Sequence, residues 1–209
     1  MTVEAFTQTL LDTGLCAIIR CKTAGMAIPI GRVLMANGVR LLEVTLTTPD
    51  AEEAIATLAA EAPEGVWIGA GTVISGVDFT RAHAAGATFI VTPAVCPAIV
   101  AATSAGVPSL GGAWTASEVI AADAAGATAV KIFPASSGGP SHLKALRDPL
   151  PHIKLLAVGG VGLAEIEPYR AVGAVGFGIG GPLVGDAATG GSLDDLAARA
   201  RQFVEACRT

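Results

Sequence analysis

Short apolar runs recur along the chain, each opened by a glycine or a polar residue and closed by Gly, Thr, Pro or a charge. They read "LCAIIR", "GVRLLEVT", "GVWIGAGT", "GATFIVTP", "GVPSLGG", "GATAVKIFP", "IKLLAVGG" and "GAVGFGIGG". Runs of this length, apolar on both faces, fit strands of a parallel sheet covered by helices on one side and core on the other. Between them lie Ala-rich stretches of helical period, such as "DAEEAIATLAAEA" at 50–62 and "SEVIAADAA" at 117–125. Gly86, Gly106 and Gly126 fall 20 residues apart, each placed to end a helix and open a strand. This is one βα unit repeated.

Eight strand-like runs alternating with about eight helices predict a (β/α)8 TIM barrel, at the small end for that fold. The alternative is an open, doubly wound sheet. Near-equal repeats and the lack of a GxGxxG after the first strand favour closure. An extra helix is expected over about residues 3–13, before the first strand. The Gly/Ser stretch at 185–192 reads as a loop before a final helix over about 193–207, so that residues 1–209 form a single domain.

Charges inside such strands are the informative exceptions. They are Arg20 at the end of strand 1, Glu43 inside strand 2 and Lys131 inside strand 6, with Lys154 expected at the mouth of strand 7. Strands 2 and 6 stand opposite each other in an eight-membered ring, so inward-pointing Glu43 and Lys131 would face across a narrow interior. A buried structural ion pair there would return little stability. A lysine desolvated by Val130, Ile132 and Phe133 would instead have a lowered pKa, and its free amine attacks carbonyls. A carboxylate opposite can carry protons during imine formation.

Composition narrows the rest. Of 209 residues, 52% are hydrophobic and only 15% charged, which excludes disorder. The net charge of −5 argues against nucleic acid or an anionic membrane as partner. No apolar stretch is long enough to span a bilayer, and the N-terminus lacks the basic region of a secretory signal. Four cysteines without paired spacing read as reduced packing thiols of a cytoplasmic protein, Cys16 and Cys21 among them. Three scattered His make no metal cluster. His142 and His152 are expected on exposed loops or helices. Trp67 and Trp114 are expected in packing or at a pocket rim, Trp114 at the strand-5 mouth.

The turns after strands 7 and 8, "VGGV" at 158–161 and "GIGG" at 178–181, lie where barrels bind phosphate on backbone N–H groups. Gly159, Gly160, Gly180 and Gly181 are the candidates. "ASSGGPS" after strand 6 adds Ser136 and Ser137.

Taken together, "LLEVTLTTP", "GAGTV", "TPAV", "VKIFPASSGGPSHLKALRDPLP" and "LAVGGV" resemble, in order and spacing, the class I 2-keto-3-deoxy-6-phosphogluconate/-galactonate aldolases, a family that includes 4-hydroxy-2-oxoglutarate aldolases. The resemblance runs from about Cys16 to Val184. It implies that Lys131 is the Schiff-base lysine, Glu43 the general acid/base and Thr72 a contact to the pyruvate carboxylate, with Pro93 and Phe133 in the pocket wall. It further implies a reversible cleavage to pyruvate and glyceraldehyde 3-phosphate that uses no metal and no dissociable cofactor, in a cytoplasmic homotrimer whose partners are a small keto acid and an aldehyde.

Two departures bear on the substrate. Gluconate-type members carry an arginine where this chain has Thr47, and Arg20 is placed to supply that cation. Val158 stands where such members have a threonine near the hydroxyl that distinguishes the two sugars. Both favour the galactonate substrate or use of both sugars and leave the gluconate type open. Gly181 and Pro182 replace a phosphate-binding serine, which leaves phosphate to backbone N–H groups or points to an unphosphorylated 2-keto-3-deoxy acid or 4-hydroxy-2-oxoglutarate. A phosphosugar isomerase or epimerase using Glu43 as base, and a non-catalytic ligand-binding or assembly barrel, are the competing readings.

Overall fold

The computed structural model describes residues 2–208. The first half of the chain runs α1 (Val3–Thr13), β1 (Leu15–Ile19), α2 (Ala24–Ala36), β2 (Leu41–Thr45), α3 (Ala51–Glu61), β3 (Trp67–Gly71), α4 (Gly76–Ala84), β4 (Phe89–Val91) and α5 (Pro97–Ser104). The second half runs β5 (Ser109–Ala113), α6 (Ala116–Ala124), β6 (Ala129–Ile132), α7 (Gly139–Arg147), β7 (Leu155–Val158), α8 (Leu163–Ala171), β8 (Gly176–Ile179), α9 (Gly181–Val184) and α10 (Leu193–Cys207). The eight strands pair in sequence order and β8 closes on β1, every pair parallel. This is the (β/α)8 barrel the pattern predicts, with the N-terminal and final helices where the sequence places them.

Gly86, Gly106 and Gly126 follow the ends of α4, α5 and α6 with φ of 100°, 68° and 90°. Each provides the left-handed turn that releases the chain into the next strand, a conformation costly for other residues. Helices α1, α4, α6 and α10 start on hydroxyl caps. Ser75 accepts from Asp78 N at 3.1 Å and Thr115 from Glu118 N at 3.3 Å, and each acid bonds back to its cap residue.

The strands alternate with period two between separate apolar clusters. Ala17, Leu42, Val44, Ile68, Val130 and Ala157 face the helices. Cys16, Leu41, Trp67, Phe89, Leu110 and Leu156 face the barrel interior. The interior is sealed at its N-terminal end by α1, whose Phe6 and Leu10 are fully buried. Phe6 meets Trp67 edge-on at 5.2 Å and Phe89 at 5.0 Å. Trp67 is thus a packing residue, remote from the strand ends that carry the cavity described below.

Further along the same inward rows the side chains vanish. Gly69, Gly71, Gly112 and Gly178 follow the bulky layer toward the C-terminal ends of their strands. A Cβ at Gly71 would sit 2.6 Å from Glu43 Oε1, and one at Gly112 would sit 2.3 Å from the Pro93 carbonyl carbon. These glycines give room to neighbouring groups, Gly71 to the Glu43 carboxylate among them, at the end where the cavity lies and where barrel sites are built.

Lys154 precedes β7 and therefore lies at the opposite end of the barrel from that cavity, where its carbonyl accepts from Val130 N at 2.8 Å. The sequence expectation placed it at the mouth. Strand direction decides the matter, because the residue before a strand and the residue after it sit at opposite ends.

Candidate active site

The cavity has a volume of about 490 Å³ and opens at the C-terminal ends of the strands. Glu43 from β2 and Lys131 from β6 enter it from opposite sides of the ring. Lys131 is only 7% exposed, and its Nζ stands 5.0 Å from the centroid of the Phe133 ring. Glu43 is 2% exposed and its Oε2 has no hydrogen-bond partner. No ion pair joins the two among the described residues.

Burial moves both groups toward their neutral forms. Loss of solvent pulls the Lys131 amine below its usual range and the nearby positive charge of Arg20 pulls the same way, while Glu43 and the Cys16 thiol oppose the shift. Desolvation pushes Glu43 up to about 7, against the pull of Lys131 and Arg20. The result is an amine shifted toward its nucleophilic form, facing a carboxyl group able to hold or release a proton near neutral pH. Cys16 lies deeper in the barrel, and burial pushes its thiol well up, so it stays protonated and inert.

Around this pair the structure gathers most of the residues singled out from sequence. Arg20 reaches the cavity from the end of β1, and Thr72 from just past β3. Thr72 holds a left-handed φ of 59°, unusual for a β-branched residue and the kind of strain that collects at functional sites. Pro93 and Phe133 form parts of the wall, as does Val158 at the end of β7. Gly159 and Gly160, with φ of 92° and 73°, turn the chain back beneath α8; Gly180 and Gly181 line the β8 side.

Two predicted residues lie elsewhere. Thr47 is exposed and its hydroxyl hydrogen-bonds Thr45 at 3.1 Å, off the cavity wall. Ser137 belongs to the short 3-10 turn Ala135–Ser137, exposed and away from the wall. Its neighbour Ser136 donates its N–H to Gly159 O at 3.0 Å, and the space that a Cβ on Gly160 would take is filled by Ser136 Oγ. Trp114 does not line the cavity either. Its ring stacks on His142 at 4.2 Å, and His142 Nε2 lies 2.8 Å from Trp114 O. His142, on α7, is therefore half-buried where exposure was expected; His152 is exposed.

Sequence reasoning missed four kinds of contribution. Ile18 lines the cavity because it pairs in register with Glu43, a signal that strand alignment could have carried. Gly71 makes room for the Glu43 carboxylate, which only the ring neighbours reveal. Val161 comes from the turn after Gly160. Val184 and Ala188 come from the segment after β8, where no periodic pattern marks an inward face. Among the described residues, no group of three or more His, Cys, Asp or Glu is arranged to hold a metal ion, and no helix is long and apolar enough to cross a membrane.

This barrel and cavity have counterparts of known kind. The family model for "KDPG and KHG aldolase" matches residues 7–197. A probable 2-dehydro-3-deoxy-6-phosphogalactonate aldolase of Rhizobium meliloti is 37% identical over 83% of this chain and 82% of its own. A solved native KDPGal structure superposes with a TM-score of 0.86 at 34% identity, over 92% of this chain and 93% of that one. A KDPG aldolase from Legionella pneumophila, solved with pyruvate captured at low pH as a covalent carbinolamine, matches with a TM-score of 0.81 at 29% identity, over 96% and 95% of the two chains. With the match covering nearly all of the barrel, the chain belongs to the family of KDPG and KHG aldolases.

Proposed function

We propose that this chain is a class I aldolase that reversibly cleaves a 2-keto-3-deoxy-6-phospho sugar acid of the galactonate type to pyruvate and glyceraldehyde 3-phosphate. The observation that carries the reading is the buried Lys131 amine facing Glu43 across the cavity at the C-terminal ends of the strands. Lys131 attacks the C2 ketone, and loss of water leaves an iminium. Glu43 takes the proton of the C4 hydroxyl as the C3–C4 bond breaks and its electrons pass to the iminium. The aldehyde departs, the enamine is protonated at C3, and water releases pyruvate and the free amine. Arg20 and Thr72 hold the carboxylate end.

The galactonate preference is supported by two features of the wall. Arg20 is the cation that faces the substrate beside Lys131, Thr47 being turned away. Val158 offers the substrate hydroxyl no hydrogen bond, so an enzyme selecting the gluconate epimer through that contact is disfavoured.

The enzyme works in the cytoplasm as a homotrimer. Four free cysteines fit a reducing compartment. Val77, Val100 and Ile120, exposed by 69%, 54% and 52% on successive helices α4, α5 and α6, supply apolar surface for contact between copies.

Borohydride trapping tests the chemistry. Reduction in the presence of pyruvate is expected to inactivate the enzyme and leave a pyruvate-derived mass on Lys131, with Lys131→Met unlabelled and inactive. An unlabelled wild-type Lys131 overturns the reading and returns the site to a proton-transfer enzyme that uses Glu43 alone.

A further inference from the structure

The two sides of the cavity are built from different chemistry. Charged and hydroxyl side chains gather around Lys131, whereas the side below the β7 and β8 turns is walled by Val161, Gly180, Gly181, Pro182, Val184 and Ala188. None of these six carries a side-chain donor or a charge, and Pro182 has no backbone N–H.

The usual ways to anchor a phosphate there are already committed. The N–H of Gly162, the cap residue before α8, donates to the Glu165 carboxylate at 2.9 Å, so that helix start carries its own anion. The four-residue α9 is too short to offer a second helix terminus. Arg199 packs behind the wall, but its guanidinium donates to Leu183 O and Val184 O, each at 2.9 Å, and lies 3.7 Å from Asp186. What the wall presents to a substrate tail is backbone N–H from glycine turns. Neutral donors of that kind are satisfied by a hydroxyl oxygen as well as by a phosphate oxygen. The charge-assisted gain of a phosphate has no side-chain cation on this part of the wall to draw on.

We infer that the β7–β8 wall accepts an uncharged polyhydroxy tail nearly as well as a phosphorylated one, so that unphosphorylated 2-keto-3-deoxy sugar acids are substrates of the same site. This rests on the aldolase reading above and sets which substrates that site admits. The phosphate is then a passenger on the tail, and discrimination among substrates falls to the Arg20 end and to Val158.

The test is a pair of kcat/KM measurements, 2-keto-3-deoxygalactonate against its 6-phosphate, followed by pyruvate release. A ratio within about tenfold is expected, since a wall without a dedicated partner discriminates weakly; a larger preference for the phosphate overturns the inference. Gly181→Ser gives a second measure. A Cβ at Gly181 would meet nothing within 4 Å, so a hydroxyl fits there without displacing the chain. That variant is expected to shift the ratio by about tenfold toward the phosphorylated substrate, the effect of one added hydrogen bond to a charged group. An unshifted ratio also overturns the inference. Pyruvate trapping on Lys131 separates the two claims: label with a large ratio sinks the tail inference alone, and no label sinks the aldolase reading.

Discussion

Glu43 is held at odds with its surroundings, and that tension is measurable. Its pKa of about 7 in the folded chain stands above the ordinary value of 4.5. Between those values the folded chain keeps a proton that the unfolded chain has released, so stability present at pH 4.5 is lost as pH rises toward 7. Glu43→Gln removes the titration. The fall in Tm between pH 4.5 and pH 8 is expected to shrink in the variant, while cleavage drops roughly 10²- to 10⁴-fold for loss of the proton carrier. An unchanged pH slope of Tm counts against the buried, proton-holding carboxyl. Gly71 acts on the same group from β3. Gly71→Ala puts a methyl 2.6 Å from Glu43 Oε1 and displaces the carboxylate. Cleavage is expected to fall about a hundredfold, the effect of a misplaced catalytic group, with far-ultraviolet dichroism unchanged. Lys131 and Glu43 were legible as charges in apolar strands; the role of Gly71 was not, because a glycine reveals nothing about which neighbour fills its space.

At the scale of elements, α4 and α6 hold their starts through local hydrogen bonds of a capping box. In α6, Thr115 caps Glu118 N while Glu118 Oε2 accepts from Thr115 N at 2.7 Å. Thr115→Ala is expected to cost about 1 kcal/mol. Calorimetry should show Tm lower by about 2–4 °C for a chain of this size, and a drop well beyond that would show the cap to be supporting more than its own helix. Elements with strong period were read to within a residue or two: 50–62 became Ala51–Glu61 and 117–125 became Ala116–Ala124. The stretch at 185–192, read as loop, holds a 3-10 turn over Gly185–Thr189 that brings Ala188 to the cavity. Five residues make too little of a repeat to show a face.

The whole molecule closes its barrel by plugging one end and leaving the other open. Phe6 carries the plug, wedged between Trp67 and Phe89 with no exposed surface. Phe6→Ala is expected to cost about 3–5 kcal/mol as the cavity it leaves collapses only in part. Thermal unfolding should move down accordingly, yet Lys131 should still trap pyruvate, because plug and site occupy opposite ends of the strands. Loss of trapping in folded Phe6→Ala protein would show that the two ends are coupled. The plug itself was foreseen only as a helix; which end it would seal depended on strand direction and closure.

The sequence by itself determined the repeat, the parallel strands, closure as the favoured outcome, and the two charges that do not belong in a core. These are local signals: glycine spacing, period, and a polar residue in an apolar run are readable without neighbours. Tertiary structure alone decided that Thr47 lies off the cavity wall, that Trp114 turns away to His142, and that the β7–β8 side has no charged side chain. Side chains beyond a strand's end are no longer bound to its alternation. Their direction is set by contacts with strands and helices distant in sequence, and only the closed ring brings those contacts together.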